Sequence, residues 1–132
     1  MTDLAITAIR PFVPGGKDYA RSKAFYEALG FTVDFDAGEV AGLSCPAGGF
    51  LLQNYHHEGW AGNFMMQLAV EDLDAWWAHL ESLDLPGRFG VPAPRAPALQ
   101  PWGLRVAYLV GPSGELWHIV EDRKAGDTKG EG

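Results

Sequence analysis

The chain is poor in the features that staple, anchor or steer a protein. It holds a single cysteine, Cys45, so an internal disulfide is excluded and a thiolate metal site would need other ligands. No base stands near Cys45 in the sequence to make it a nucleophile. Long apolar runs are missing as well, and hydrophobic stretches stop far short of the roughly 20 residues that span a bilayer. Cations are scarce, with 10 Lys and Arg against 17 Asp and Glu and a formal net charge of −7. Phosphate repulsion then disfavours nucleic acid, whereas a cationic small molecule would be attracted. Met1-Thr2-Asp3-Leu4 lacks the charged-then-apolar pattern of a secretory leader, which points to the cytoplasm.

The residues that are present suit a packed domain. The 132 residues are 47% hydrophobic and 12% aromatic, enough to bury a core without staples. A faint repeat runs through them. Ala24-Phe25-Tyr26-Glu27-Ala28-Leu29 and Ala75-Trp76-Trp77-Ala78-His79-Leu80 each place aromatics and a leucine on one helical face. Trp76 and Trp77 therefore read as core, with Asp72 and Asp74 suited to the first helical turn; His79 falls on the polar side and is expected exposed. Strands are predicted before each helix, at Ala5–Val13 and Asn63–Val70. After each comes a hairpin with a Pro-small-Gly turn, Pro46-Ala47-Gly48 in one and Pro112-Ser113-Gly114 in the other. Phe31–Phe35 adds a strand to the first half. Arg88–Val91 is a poorer counterpart, because Pro92, Pro94 and Pro97 turn the next segment into an extended loop.

The expected fold class is α+β: two βαβββ modules, about 4–55 and 63–121, in one domain over 1–122. The curved sheet leaves a concave cleft. The polar, Gly-rich segment 123–132 is expected to fray.

Strand alternation assigns side chains to that cleft. Met65 and Gln67 should face it, with Phe64, Met66, Leu68 and Val70 against the helices. A four-residue turn over Gly111–Gly114 would pair Val110 with Glu115 and Ala107 with His118. Arg105, Ala107, Leu109, Leu116, His118 and Val120 then face the cleft, opposite Val106, Tyr108, Trp117 and Ile119. A five-residue turn would change these partners. Superposing the two turns puts Leu52 opposite His118, with Phe50 and Asn54 on the same face; superposing Val13 on Val70 puts Ala8 opposite Met65, beside Arg10.

The Ala-Phe-Tyr-x-x-Leu-Gly-Phe start, the Pro101-Trp102-Gly103 segment, the Pro112-Ser113-Gly114 turn and His118 together resemble the vicinal oxygen chelate superfamily. That superfamily includes glyoxalase I, extradiol dioxygenases and bleomycin-resistance proteins, and the last branch is the most similar. The resemblance implies four metal-ligand positions in metal-dependent members, falling here on Ala8, Leu52, Met65 and His118. A methyl, an isobutyl and a thioether leave one real donor, too few for a divalent transition ion. No metal or other cofactor is therefore expected. His56-His57-Glu58 reads as a solvated loop, since adjacent histidines on an extended chain point apart.

The resemblance implies instead a binding protein that sequesters an aromatic and, given the acidic surface, cationic antibiotic or metabolite. Trp102 and Trp60, each in a glycine-bounded loop, would stack on it. Asn54, Gln67, Arg105 and His118 would orient it, with Met65 and Leu52 in the apolar wall. A homodimer is expected, as implied by short two-module relatives that complete their clefts across an interface. The alternative is a glyoxalase- or dioxygenase-like metalloenzyme with an atypical ligand set. A metal-independent lyase using His118 as base and Arg105 as anion clamp is a third reading.

Overall fold

The computed structural model describes residues 4–122. The first module runs β1 (Phe12–Pro14), α1 (Tyr19–Leu29), β2 (Thr32–Asp36), β3 (Val40–Cys45) and β4 (Gly48–Gln53). A short α2 (Glu58–Asn63) leads to the second module: β5 (Met65–Val70), α3 (Leu73–Ser82), α4 (Leu85–Phe89), β6 (Arg95–Leu99), β7 (Arg105–Val110) and β8 (Leu116–Glu121). Each module forms a four-stranded sheet, ordered β1-β4-β3-β2 and β5-β8-β7-β6. The α+β class and the repeated module are those anticipated. The segment 123–132, expected to fray, lies outside the described residues.

Local chemistry starts the helices. Asp18 caps α1, its Oδ1 accepting from Arg21 N at 3.1 Å, and Asp72 caps α3 by accepting from Ala75 N at 2.9 Å. Each cap satisfies one of the orphan amides of a first turn. In α1, Ser22, Phe25, Tyr26 and Leu29 are buried, the i, i+3, i+4, i+7 stripe of a helix lying on a sheet. In α3, Leu73 and Leu80 are buried, and Trp76 and Trp77 pack partly buried against the core.

One core joins the modules. Tyr26 of α1 meets Phe50 of β4 at 5.1 Å between ring centroids and Trp117 of β8 at 5.7 Å. Below them lies a buried polar chain. Trp117 Nε1 donates to Tyr26 Oη at 2.9 Å, and Tyr26 Oη donates to Glu115 Oε2 at 2.5 Å. Ser113 N donates to Glu115 Oε1 at 2.9 Å. Burial, the largest effect, raises the Glu115 carboxyl above its ordinary value against these hydrogen bonds; burial and the Glu115 charge push Tyr26 well up.

This chain of bonds sets the last hairpin. With Glu115 turned inward, the β7–β8 connection takes five residues, Gly111–Glu115, and the final pair is Val110↔Leu116. Gly111 is required there, since a Cβ would lie 2.4 Å from the Glu115 carboxyl. The four-residue turn is thus corrected, and its pairing of Ala107 with His118 becomes Tyr108↔His118.

Four more expectations change. The strand Ala5–Val13 contracts to Phe12–Pro14. Pro11 has no amide to extend the ladder, and Gly48-Gly49, which the register would set beside Ile9 and Arg10, offers no side chain to pack. Leu4, Ile6 and Ile9 are left 80–86% exposed. Arg88–Val91 is no strand: α4 ends at Phe89, and β6 begins at Arg95, using edge position and a register shift before Ala98 to accommodate Pro97. The Gly59–Gly62 loop is helical in α2, because His57 Nδ1 accepts from Trp60 N at 3.3 Å as its cap. His79 is half-buried rather than exposed, its Nε2 lying 3.1 Å from the Leu29 carbonyl and tying α3 to the end of α1.

Candidate functional site

Pairing across the ladders fixes both faces of each sheet. In the second sheet Ala107, Leu109, Trp117 and Ile119 join the core. Their neighbours Tyr108, Val110, Leu116 and His118 point to the opposite, open face, with Met65 and Gln67 beside Leu116 and His118 across the parallel β5–β8 ladder. In the first sheet Val13, Ala41, Leu43, Phe50 and Leu52 join the core, leaving Phe12, Gly42, Leu51 and Phe35 on the open face.

Three expected site residues therefore move. Leu52 is fully buried in the core, because the first hairpin turns in two residues (Cys45↔Gly48) and the second in five, so superposing the turns displaces the side chains of β4 to the wrong face. Arg105 lies on the helix side. It grips both Asp74 oxygens at 3.1 and 3.2 Å and Glu121 Oε1 at 3.1–3.2 Å, and these contacts hold the Asp74 carboxyl below its usual value. Asn54 is occupied in the β2–β3 turn, its Nδ2 donating to Gly38 O at 2.9 Å.

The structure brings Met65, Gln67 and His118 together. His118 is half-buried, its ring meeting Tyr108 edge-on at 4.8 Å and 79°. Trp102 stands 61% exposed in the β6–β7 turn. That turn is closed by Gly103 N donating to Gln100 O at 2.9 Å, with Gly103 at φ +95°, a conformation that favours glycine. Trp60 is 66% exposed on α2, stacked on His57 at 4.6 Å and facing Tyr55 at 5.8 Å. With Phe12 and Phe64 these rings wall a small pocket of about 110 Å³. A larger groove of about 280 Å³ separates the modules, lined by Phe31 and Phe50 on one side and Met66, Gln67, Leu68 and Trp117 on the other. Of the expected site residues, only Gln67 reaches it.

Sequence reasoning missed Phe35, Tyr108 and Arg95 on the open faces. Phe35 signals itself through Gly42: a Cβ there would sit 2.3 Å from the Phe35 ring, which fills the space a side chain would need. Tyr108 was hidden by the same turn length that displaces Arg105.

With the observed register, the side-by-side positions on the open faces are Phe12 and Leu51 in one module and Gln67 and His118 in the other. Ala8, expected at the position equivalent to Met65, precedes the paired residues of β1. An amide and an imidazole beside two hydrocarbons do not fit a divalent metal that needs three or more donors. Among the described residues no three His, Cys, Asp or Glu side chains form a metal-holding group.

The fold is thus two paired βαβββ modules, each with one sheet face in a shared core and the other face open. The chain belongs to the Glyoxalase/Bleomycin resistance protein/Dioxygenase superfamily, whose profile matches residues 11–119. It is 33% identical over 127 residues to a bleomycin resistance protein of Klebsiella pneumoniae, covering 92% of this chain and 94% of that one. Among solved structures it is similar to a bleomycin-binding protein complexed with bleomycin, at TM-score 0.74 and 27% identity over 89% of this chain and 99% of that one. It is equally similar to a bleomycin resistance determinant encoded on the transposon Tn5, at TM-score 0.74 and 25% identity over 90% and 100% of the two chains.

Proposed function

We propose that this protein binds and sequesters an aromatic antibiotic of the bleomycin kind on its open face, without transforming it. The observation that carries this reading is aromatic and apolar surface left bare where a soluble protein would normally cover it. Phe12, Phe35, Met65 and Trp102 are each 49–61% exposed. Large exposed rings mark ligand or partner surfaces, and the likeness to bleomycin-binding relatives gives the ligand class. Trp102 and Trp60 supply faces for a planar ring, with Met65 as apolar wall and His118 and Gln67 as orienting groups. The amide and imidazole of the open face give no Lewis acid for turnover.

A homodimer belongs to the same proposal. β1 and β5 are both edge strands, and the exposed Leu4, Ile6 and Ile9 precede β1. Unpaired edges and apolar arms are surfaces that a second copy would cover. The site of action in this proposal is the cytoplasm, upstream of the antibiotic's target.

Trp102→Ala tests the proposal. Stacking of a ring on an indole should be worth about 1 kcal/mol or more, so bleomycin affinity measured by calorimetry should fall roughly five- to tenfold. Unchanged affinity would remove Trp102 from the site. Sedimentation equilibrium tests the dimer, which a monomeric mass at micromolar concentration would refute.

A further inference from the structure

The two open faces carry opposite chemistries along equivalent rows. In the first module one row crosses all four strands as Phe12, Leu51, Gly42 and Phe35. In the second the corresponding row is Gln67, His118, Tyr108 and Arg95. The rows correspond because each lies one residue from a matching core pair, Leu43↔Phe50 in one sheet and Leu109↔Trp117 in the other. One row is hydrocarbon and the other polar throughout.

Among the described residues, no side-chain hydrogen bond or ion pair to protein is made by Gln67, His118, Tyr108 or Arg95; the contact between them is the Tyr108–His118 ring packing. Three cations elsewhere are engaged, Arg21 with Asp18, Lys23 with Asp36, and Arg105 with Asp74 and Glu121, whereas Arg95, like Arg10, makes no ion pair among the described residues. Arg95 is left with an open guanidinium. On either side of the polar row lie apolar neighbours, Met65 and Leu116 along one flank and Ala69 and Val120 along the other.

The geometry points to a donor-rich recognition row, Gln67–His118–Tyr108–Arg95, that takes a flat, oxygen-rich ligand and holds a carboxylate at its Arg95 end. An amide, an imidazole, a phenol and a guanidinium offer more N–H and O–H groups than acceptors, so the occupant is matched by acceptor atoms such as carbonyl and carboxylate oxygens. Three inter-strand gaps of about 4.8 Å make the row roughly 14 Å long, the length of three or four fused rings. The planar fork of Arg95 matches a carboxylate by two parallel hydrogen bonds. The net charge of −7 would attract a cation from a distance, but screening limits that field to about 8–10 Å, and at contact Arg95 decides. This inference rests on the open face being the ligand site, and it goes further by naming the charge at one end.

Anthraquinone-2-carboxylate, its carboxamide and 2-(aminomethyl)anthraquinone form a matched probe set, titrated calorimetrically against the full chain. The carboxylate should bind about tenfold tighter than the carboxamide. Arg95→Gln should bring the two within twofold, chiefly by weakening the carboxylate, and Arg95→Lys should restore part of the preference. Tyr108→Phe and Gln67→Leu should weaken both probes alike. The inference is overturned if the ammonium or the carboxamide binds as tightly as the acid, if no probe binds, or if Arg95→Gln keeps the preference. Bleomycin titrated in parallel separates the two claims. Bleomycin binding without acid preference overturns the row alone; acid preference without bleomycin binding supports the row and sinks the antibiotic reading.

Discussion

Tyr26→Phe removes one oxygen and disturbs both modules. The hydroxyl accepts from Trp117 Nε1 and donates to Glu115 Oε2, and the Tyr26 side chain is fully buried. Phenylalanine fills nearly the same volume, so packing loss is small. The substitution leaves an indole N–H and a carboxylate oxygen that have lost their shared partner in the core. Each such group costs about 1–3 kcal/mol, with the charged one at the upper end. A total near 3 kcal/mol is expected, which for a chain of this length corresponds to a fall in Tm of roughly 8–15 °C. Urea unfolding followed by circular dichroism measures it. The matched control is Tyr108→Phe, whose hydroxyl has no hydrogen bond to protein among the described residues and should cost within about 0.5 kcal/mol. A loss below about 1 kcal/mol for Tyr26→Phe, or one equal to the control, would refute a stabilising role for the Glu115 chain. A pH arm comes from the same carboxyl. Its folded-state pKa is raised above the unfolded value, so the native state binds the extra proton and wild-type stability falls as pH rises from the unfolded toward the folded pKa. Glu115→Gln has no such proton to lose, so its stability relative to wild type should improve across that window.

Three further outcomes are expected. Leu52→Ala should cost about 2–5 kcal/mol by urea unfolding, as a fully buried leucine does, and ligand affinity per folded molecule should not change. Arg105→Gln should leave bleomycin affinity unchanged and lower Tm only slightly, because exposed ion pairs are weakened by solvent; a large affinity loss would return Arg105 to the site. Gly42→Ala should drive the Phe35 ring off the first sheet and weaken a ligand stacked there by several-fold in calorimetry, with a smaller effect on folding; an unchanged affinity would take Phe35 out of the binding surface.

The repeat was legible because it is written in local patterns: the Ala-aromatic-aromatic stripe, the acidic caps and the Pro-Gly turns act within a few residues of one another. The face assignments of the last hairpin were not local. Its turn length depends on Glu115 turning inward to a tyrosine 89 residues away, and a one-residue change there exchanges Arg105 for Tyr108 on the open face. The segment before Phe12 showed a good β pattern, but the strand contracts to Phe12–Pro14, because Pro11 brings no amide to carry the ladder further. α2 was hidden by its glycines because its cap is an imidazole rather than the usual hydroxyl or carboxylate. Arg95 lies between Pro94 and Pro97, where the sequence reads as loop and only the β6–β7 ladder gives the side chain a direction. Met65, Gln67 and His118 could be placed because β5 alternates without interruption and His118 lies between two core neighbours, Trp117 and Ile119.

If the open face binds an antibiotic and leaves it unchanged, the bound molecule must be recoverable intact. Equilibrium dialysis of the purified protein against bleomycin, with recovery and mass spectrometry of the bound fraction, tests this most directly. Saturable binding in the micromolar range or tighter is expected, with the recovered molecule identical in mass to the input. Absence of binding at millimolar ligand, or recovery of a modified product, would contradict it.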